Sequence, residues 1–376
     1  MIKNITAAIL VFLFVCCTSS SDSGSEADTV ESIVSKFERQ IQKDLNDDNI
    51  EGSISAAIIK GDKIIWSKAF GHSDRERRAL ADTSTIYRTG SISKSFTAFL
   101  LMQLVEEGVI KLTDSIESYL PEIKKLKGYS DETKITFLQL STHTSGLIRE
   151  PELEGAASGP IEDWEHKIIQ SIPMTSFESR PGEKFRYSNI GYGILGLALS
   201  RAANQPFMEL VVNKIFIPLK MNSSYFKVPN EMTSKLAKGM AGGPGELDLE
   251  TPGNEHAGRG YKVPNGGIYS TSNDLARFAI ANMGYQKLLR PETLEVMQTV
   301  KSGNYGLGFF IDRDKQMVVI DHGGAVAGYS AQLSFEKRSQ YGVIIMRNYN
   351  FGATDLFALS NNLLRDLTKS ETMNTK

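Results

Sequence analysis

The sequence predicts an α/β (α+β) protein with one antiparallel sheet built from both chain ends, flanked by terminal helices and carrying an inserted, mostly helical domain. Three observations lead there. β-branched runs punctuated by turn residues occur at 53–67 and again at 308–348. Between them the apolar residues recur at helical spacing, over about 100–290. Amphipathic segments at 30–46 and 355–367 close the pattern at either end.

Val30, Ile33, Val34, Phe37, Ile41 and Leu45 fall on one face of the first helix. Runs 53–60 and 63–67 flank Gly61-Asp62, a hairpin signal. The charged stretch 71–81 reads as loop. Segment 93–107, stopped by Gly108, carries Phe96, Phe99, Leu100, Leu101, Leu104 and Val105 nearly all round its circumference, which predicts an internal helix. Thr136 is placed to cap a helix over 137–143 that Gly146 ends. Further helices are expected at 191–203 and at 271–281, the latter after Gly266-Gly267. Strands are expected at 308–312, 316–322, 329–335 and 342–348, then a closing helix with Leu356, Leu359, Leu363, Leu364 and Leu367 on its apolar face.

With 376 residues, 41% of them hydrophobic and 23% charged, the chain has material for a sizeable core. A net charge of −2 gives no electrostatic reason to bind nucleic acid. The N-terminus has the marks of export. Lys3 precedes the uncharged run 5–15, long enough for a signal segment and too short to span a bilayer. Cys16 and Cys17 follow, then a polar Ser-rich stretch. The division is therefore a signal segment of lipoprotein type at 1–17, a flexible tether at 18–29 and a catalytic domain at 30–370. Lipidation is expected on Cys17 (or Cys16), giving a periplasmic or cell-envelope protein that meets the membrane only through its lipid anchor. Cleavage to a free soluble form is the alternative. No other cysteine exists, so the mature domain has no disulfide or thiol chemistry, and the five histidines lack metal-ligand spacing. No cofactor or metal is expected.

Three patches carry the chemistry. Gly90-Ser91-Ile92-Ser93-Lys94 opens the internal helix. A serine hydroxyl is a poor nucleophile without a base within hydrogen-bond reach. Lys94, three residues on, lies over the same helix face, and a buried lysine near other cations can lose its proton near neutral pH. It then accepts the Ser91 proton, or holds a tyrosinate that does. Tyr187, in Tyr187-Ser188-Asn189, is the candidate phenol. Asn189, read as lying on an extended strand with Tyr187, is expected on the same side, orienting Lys94 and a substrate amide. The third patch is His322-Gly323-Gly324, after the apolar run 317–320. Ser-x-x-Lys also occurs at Ser224/Lys227 and Ser334/Lys337, but neither begins a helix. His256-Ala257-Gly258 lies in a Gly/Pro/charge-rich stretch. His143 reads as a structural residue at a helix end.

As a set, these motifs resemble the class C β-lactamase/D-alanyl-D-alanine carboxypeptidase superfamily, in its His-x-Gly branch. The resemblance runs from about Ile33 to the C-terminal helix. It includes Thr89-Gly90-Ser91-Ile92-Ser93-Lys94, Leu140-Ser141-Thr142-His143-Thr144-Ser145-Gly146-Leu147, Pro181-Gly182, Tyr187-Ser188-Asn189, Gly266-Gly267-Ile268-Tyr269-Ser270-Thr271, Tyr305-Gly306-Leu307-Gly308 and His322-Gly323-Gly324-Ala325. It implies acylation of Ser91, proton transfer shared by Lys94 and Tyr187, and an oxyanion hole from the N–H groups of Ser91 and Ala325. The superfamily's lactamases carry Lys-Thr-Gly where this chain has His322-Gly323-Gly324. Lys301-Ser302-Gly303 lacks the preceding apolar strand and is rejected as a substitute. A histidine is only partly charged at neutral pH, so capture of a substrate carboxylate is expected to be weaker here. The expected substrate is a peptide bond next to a D-residue, as in a cell-wall-type peptide, or a small ester. A true β-lactamase and a non-catalytic penicillin-binding sensor are the alternatives.

Overall fold

The structure is a computed structural model that describes residues 29–243 and 246–374. The expected signal segment, both cysteines and the expected tether as far as residue 28 lie outside the described residues. A seven-stranded sheet runs in the order Ala79–Leu80, Lys63–Asp74, Ser53–Lys60, Tyr341–Arg347, Tyr329–Glu336, Val318–Val326, Phe310–Arg313. Every neighbouring pair is antiparallel. The two chain ends meet at the centre, where Ala56 faces Ile345 and Ile58 faces Val343.

Strand periodicity divides the sheet between two cores. Ile54, Ala56, Ile58, Val343 and Ile345 point to one side. There they pack on Ile33, Phe37 and Ile41 of helix Val30–Asp48 and on Leu356, Leu363, Leu364 and Leu367 of helix Leu356–Asn374. Ala57, Ile59, Ile344 and Met346 point to the other side, into a larger core shared with the inserted helices. At its heart lies helix Ser93–Glu106, apolar on all sides because it is buried on all sides. Phe96 stacks on Phe278 with centroids 3.7 Å apart.

The segment 71–81, expected to be loop, is largely strand. Lys63–Asp74 continues past Gly71 and pairs with Ala79–Leu80. The charged residues between them form the turn, held by the Asp74 carboxylate, which accepts the Arg77 N–H at 3.1 Å. A charge-rich hairpin tip and a charge-rich loop look the same in sequence. Among the described residues no helix is long and apolar enough to cross a membrane.

Candidate active site

The site lies where the start of the internal helix meets strand Val318–Val326. Gly90–Ile92 forms a 3₁₀ turn that runs directly into helix Ser93–Glu106. Thr89 anchors this turn, donating both its N–H and its hydroxyl to the Ile268 carbonyl at 3.0 Å. The Ser93 hydroxyl accepts the Ile268 N–H at 3.2 Å. Ser95 donates to the Gly308 carbonyl at 2.6 Å and Thr97 to the Pro264 carbonyl at 2.6 Å. The small polar residues after Ser91 thus fix the nucleophile turn to the Gly266-Gly267 and Gly306-Leu307-Gly308 segments.

Two glycines let strand and turn touch. Gly90 is left-handed (φ +54°), and a Cβ there would sit 2.7 Å from the Ala325 nitrogen. A Cβ on Gly324 would lie 1.9 Å from the Thr89 carbonyl oxygen and 3.1 Å from the Ser91 nitrogen. The backbones around Ser91 and Ala325 are therefore neighbours, a placement suited to two N–H groups that share one oxyanion. Gly324→Ala is expected to force the strand off the turn, costing about 1–3 kcal/mol of stability and most of the reactivity of Ser91. Thermal unfolding and fluorophosphonate labelling check this; an unchanged melting temperature with full labelling would contradict it.

Lys94 is fully buried. Its Nζ donates to Ser91 Oγ at 3.1 Å and to the Asn265 carbonyl at 3.1 Å. Burial holds its pKa well below the ordinary lysine value, and the positive charge of Arg149 adds to this. Tyr187 lies beside it, with Nζ 4.9 Å from the ring centroid. Burial pushes the phenol up to about 12, against the opposing pull of the Ser91 hydroxyl. The pair is thus an amine that gives up its proton easily and a phenol that keeps its own.

Asn189 is not on a strand with Tyr187. Ser188 is the N-cap of helix Asn189–Ala203, its Oγ accepting the Gly191 N–H at 3.0 Å, so Asn189 begins the helix. Its amide Nδ2 donates to Glu150 Oε1 at 2.5 Å instead of meeting Lys94. Its link to Lys94 is indirect: Asn265 Nδ2 donates to the Asn189 carbonyl at 2.9 Å, and the Asn265 carbonyl holds Lys94. A carboxylate only accepts hydrogen bonds, so Glu150 fixes which way the amide faces. Asn189 Oδ1 is left buried with no hydrogen-bond partner in the protein.

His143 is fully buried, and its ring lies 4.2 Å from that of Tyr187, centroid to centroid. Its Nδ1 accepts the Ser188 N–H at 3.1 Å, and its carbonyl accepts the Arg186 N–H at 2.6 Å. This histidine holds the Tyr187-Ser188-Asn189 segment in place. His322 is also buried, on the strand opposite Leu333. Its Nδ1 donates to the Gly323 carbonyl at 2.7 Å. Burial pushes the imidazole down to about 3, so it is neutral at pH 7 rather than partly charged. Lys301 is exposed on a turn that folds back on Tyr305.

Next to His322, Asp321 is buried with Oδ2 unpartnered, and burial pushes its carboxyl up to about 7. Between about pH 4 and pH 7 the folded chain keeps a proton that the unfolded chain has released, so folding stability falls as pH rises through that window. Asp321→Asn is expected to raise the melting temperature at pH 8, with the gain shrinking as pH falls toward 4. A gain equal at both ends would contradict the assignment.

Arg149, Glu150 and Asn265 were not singled out from the sequence. Arg149 and Glu150 look like any exposed ion pair after a helix, and only their position in the folded chain brings them to the site. Asn265 had one available signal, a polar side chain directly before Gly266-Gly267. Among the described residues no cluster of three or more His, Cys, Asp or Glu side chains is placed to hold a metal ion.

With this geometry established, comparison with known proteins gives the class. The Beta-lactamase family model matches residues 37–365, and the chain belongs to that family. It is 25% identical over 323 residues to Protein flp of Staphylococcus aureus (strain N315), covering 84% of this chain and 63% of that protein. It is 29% identical over 347 residues to Beta-lactamase-like protein 2 of Dictyostelium discoideum, covering 88% of this chain and 62% of that protein. The chain thus spans a little under two thirds of the length of these relatives. Among solved structures, an octameric penicillin-binding protein homologue from Pyrococcus abyssi superposes with a TM-score of 0.75 at 26% identity, over 89% of this chain and 77% of that one. A β-lactamase/D-alanine carboxypeptidase from Pseudomonas syringae shares the fold, with a TM-score of 0.74 at 23% identity over 89% and 98%.

Proposed function

We propose that this chain is an exported serine hydrolase that works through an acyl-enzyme on Ser91. The observation that carries the reading is a fully buried lysine, held well below its ordinary pKa, 3.1 Å from a serine hydroxyl. Neutral Lys94 takes the Ser91 proton as Oγ attacks the substrate carbonyl. The N–H groups of Ser91 and Ala325 receive the oxyanion. As the tetrahedral intermediate collapses, Tyr187 passes a proton to the leaving group and is reprotonated from Lys94. Water then attacks the acyl-enzyme, giving its proton to the same pair and releasing the acid with Ser91 restored.

The proposed substrate is a peptide bond next to a D-residue, with small esters accepted by the same chemistry. Asn189 Oδ1 supports the peptide. A buried acceptor without a donor costs free energy, and an amide N–H in the acyl part of a peptide supplies that donor. His322 offers no cation at the position where the superfamily's lactamases carry lysine, which argues against efficient β-lactam turnover. The signal segment supports export and lipid anchoring.

A side-by-side assay with nitrocefin, a nitrophenyl ester and a D-Ala-D-Ala peptide tests the reading. Turnover of the peptide or the ester, with slow or absent nitrocefin cleavage, is expected. Rapid nitrocefin cleavage would make the protein a lactamase. Acylation of Ser91 without turnover of any of the three would make it a sensor.

A further inference from the structure

The proposed reaction leaves open how a charged substrate is held, since His322 is uncharged. We infer that Arg149 supplies a cation on the Tyr187 side of the cleft, away from the His322 strand, and that the cleft selects acyl compounds bearing a free carboxylate; this rests on the serine-hydrolase reading above. The Arg149 guanidinium lies over the ring of Tyr187, 5.0 Å from its centroid, so it borders the reacting groups. Its side chain is two-thirds exposed and open to a ligand. Its backbone is fixed, because the Arg149 carbonyl accepts the N–H groups of Asn189 and Ile190 at 2.9 and 3.3 Å.

Glu150 is the acid that would neutralise Arg149, and it is already engaged. Its Oε1 accepts from Asn189 at 2.5 Å, while Oε2 receives the Tyr261 hydroxyl and the Lys262 ammonium, the latter at 3.1 Å. Arg149 approaches Oε1 only to 3.9 Å, beyond hydrogen-bond range. Arg259, the other arginine acting on Lys94, is nine-tenths buried, out of a ligand's reach, and shares Glu255 with the buried Arg88, at 3.1 and 2.6 Å. With Lys94 and His322 neutral, Arg149, Glu150 and Lys262 together leave one positive charge at the cleft. A guanidinium placed this way binds a carboxylate through two parallel N–H donors.

The test uses two matched pairs of nitrophenyl esters. One pair carries a carboxylate or its methyl ester in the acyl part, the other in the leaving group. Each is assayed with the native protein, Arg149→Gln and Arg149→Lys, and fluorophosphonate labelling of Ser91 is measured in all three. The native protein is expected to prefer the carboxylate member of one pair by about tenfold in kcat/KM at low salt, mainly through KM. The ratio should fall below about twofold in Arg149→Gln and stay intermediate in Arg149→Lys. A native ratio near one in both pairs, or a ratio retained in Arg149→Gln, would overturn the inference while labelled Ser91 leaves the hydrolase reading intact. Loss of Ser91 labelling in the native protein would instead bring down the hydrolase reading and this inference with it.

Discussion

Ser91→Ala is expected to lower ester turnover by about ten-thousandfold or more and to remove all fluorophosphonate labelling. The chemistry needs an oxygen nucleophile at that position, and among the described residues no other serine or threonine hydroxyl is hydrogen-bonded to Lys94 Nζ, whose second contact is the Asn265 carbonyl. Folding should be little changed. Alanine fits the turn at the helix start, and Lys94 keeps its backbone acceptor. A circular-dichroism melt within a few degrees of the native protein, together with dead catalysis, is the expected combination. Residual turnover at native rates, or a label that moves to Ser224 or Ser334, would remove Ser91 from the mechanism. Those two hydroxyls are already engaged: Ser224 donates to Asp274 at 3.0 Å, and Ser334 accepts from Gln332 at 3.0 Å.

Lys94→Met is expected to cost about a thousandfold or more in the rate of Ser91 acylation while leaving the fold as stable as the native one or more so. Methionine fills nearly the same volume without an amine. The native side chain is buried where burial and the charge of Arg149 both disfavour its cationic form. Between its lowered folded pKa and the ordinary lysine value the unfolded chain carries a proton that the folded chain has given up, so this position opposes folding at pH values below the ordinary lysine pKa. Removing the amine removes that opposition. Lys94→Arg should also fail in catalysis, because a guanidinium keeps its proton, and it should destabilise the fold by burying a fixed charge. A Lys94→Met protein that unfolds much more easily than the native one would assign the lysine a structural role instead.

Much of this arrangement could be read before folding, and for definable reasons. The strands at the two chain ends alternate or run apolar over several residues, and their periodicity shows how each is buried. Helix Ser93–Glu106 is apolar all round, which pointed to a buried helix, and Ser91 stood out from the two other Ser-x-x-Lys matches by its place at that helix's start. What escaped was set by single local contacts. The Ser188 cap turned Asn189 from a strand residue into the first residue of a helix, and so toward Glu150. A serine directly after Tyr187 and ahead of an apolar helix is a favoured N-cap, but the same three residues also fit an extended strand, and spacing alone does not choose between them. The Arg149-Glu150 pair acquires its meaning from Tyr187, Tyr261 and Lys262, all distant in sequence. The charge state of His322 was beyond reach for another reason: it depends on how completely the strand and its neighbours exclude water.

The central claim is that an uncharged Lys94 deprotonates Ser91. Its most direct test is the rate of fluorophosphonate labelling, mapped to the modified peptide by mass spectrometry, from about pH 5 to pH 10. The rate should be full at alkaline pH and fall as Lys94 gains its proton. The adduct should lie on Ser91, and the inflection well below the ordinary lysine value of about 10.4. An inflection at that ordinary value, or an adduct on any other residue, would contradict the account.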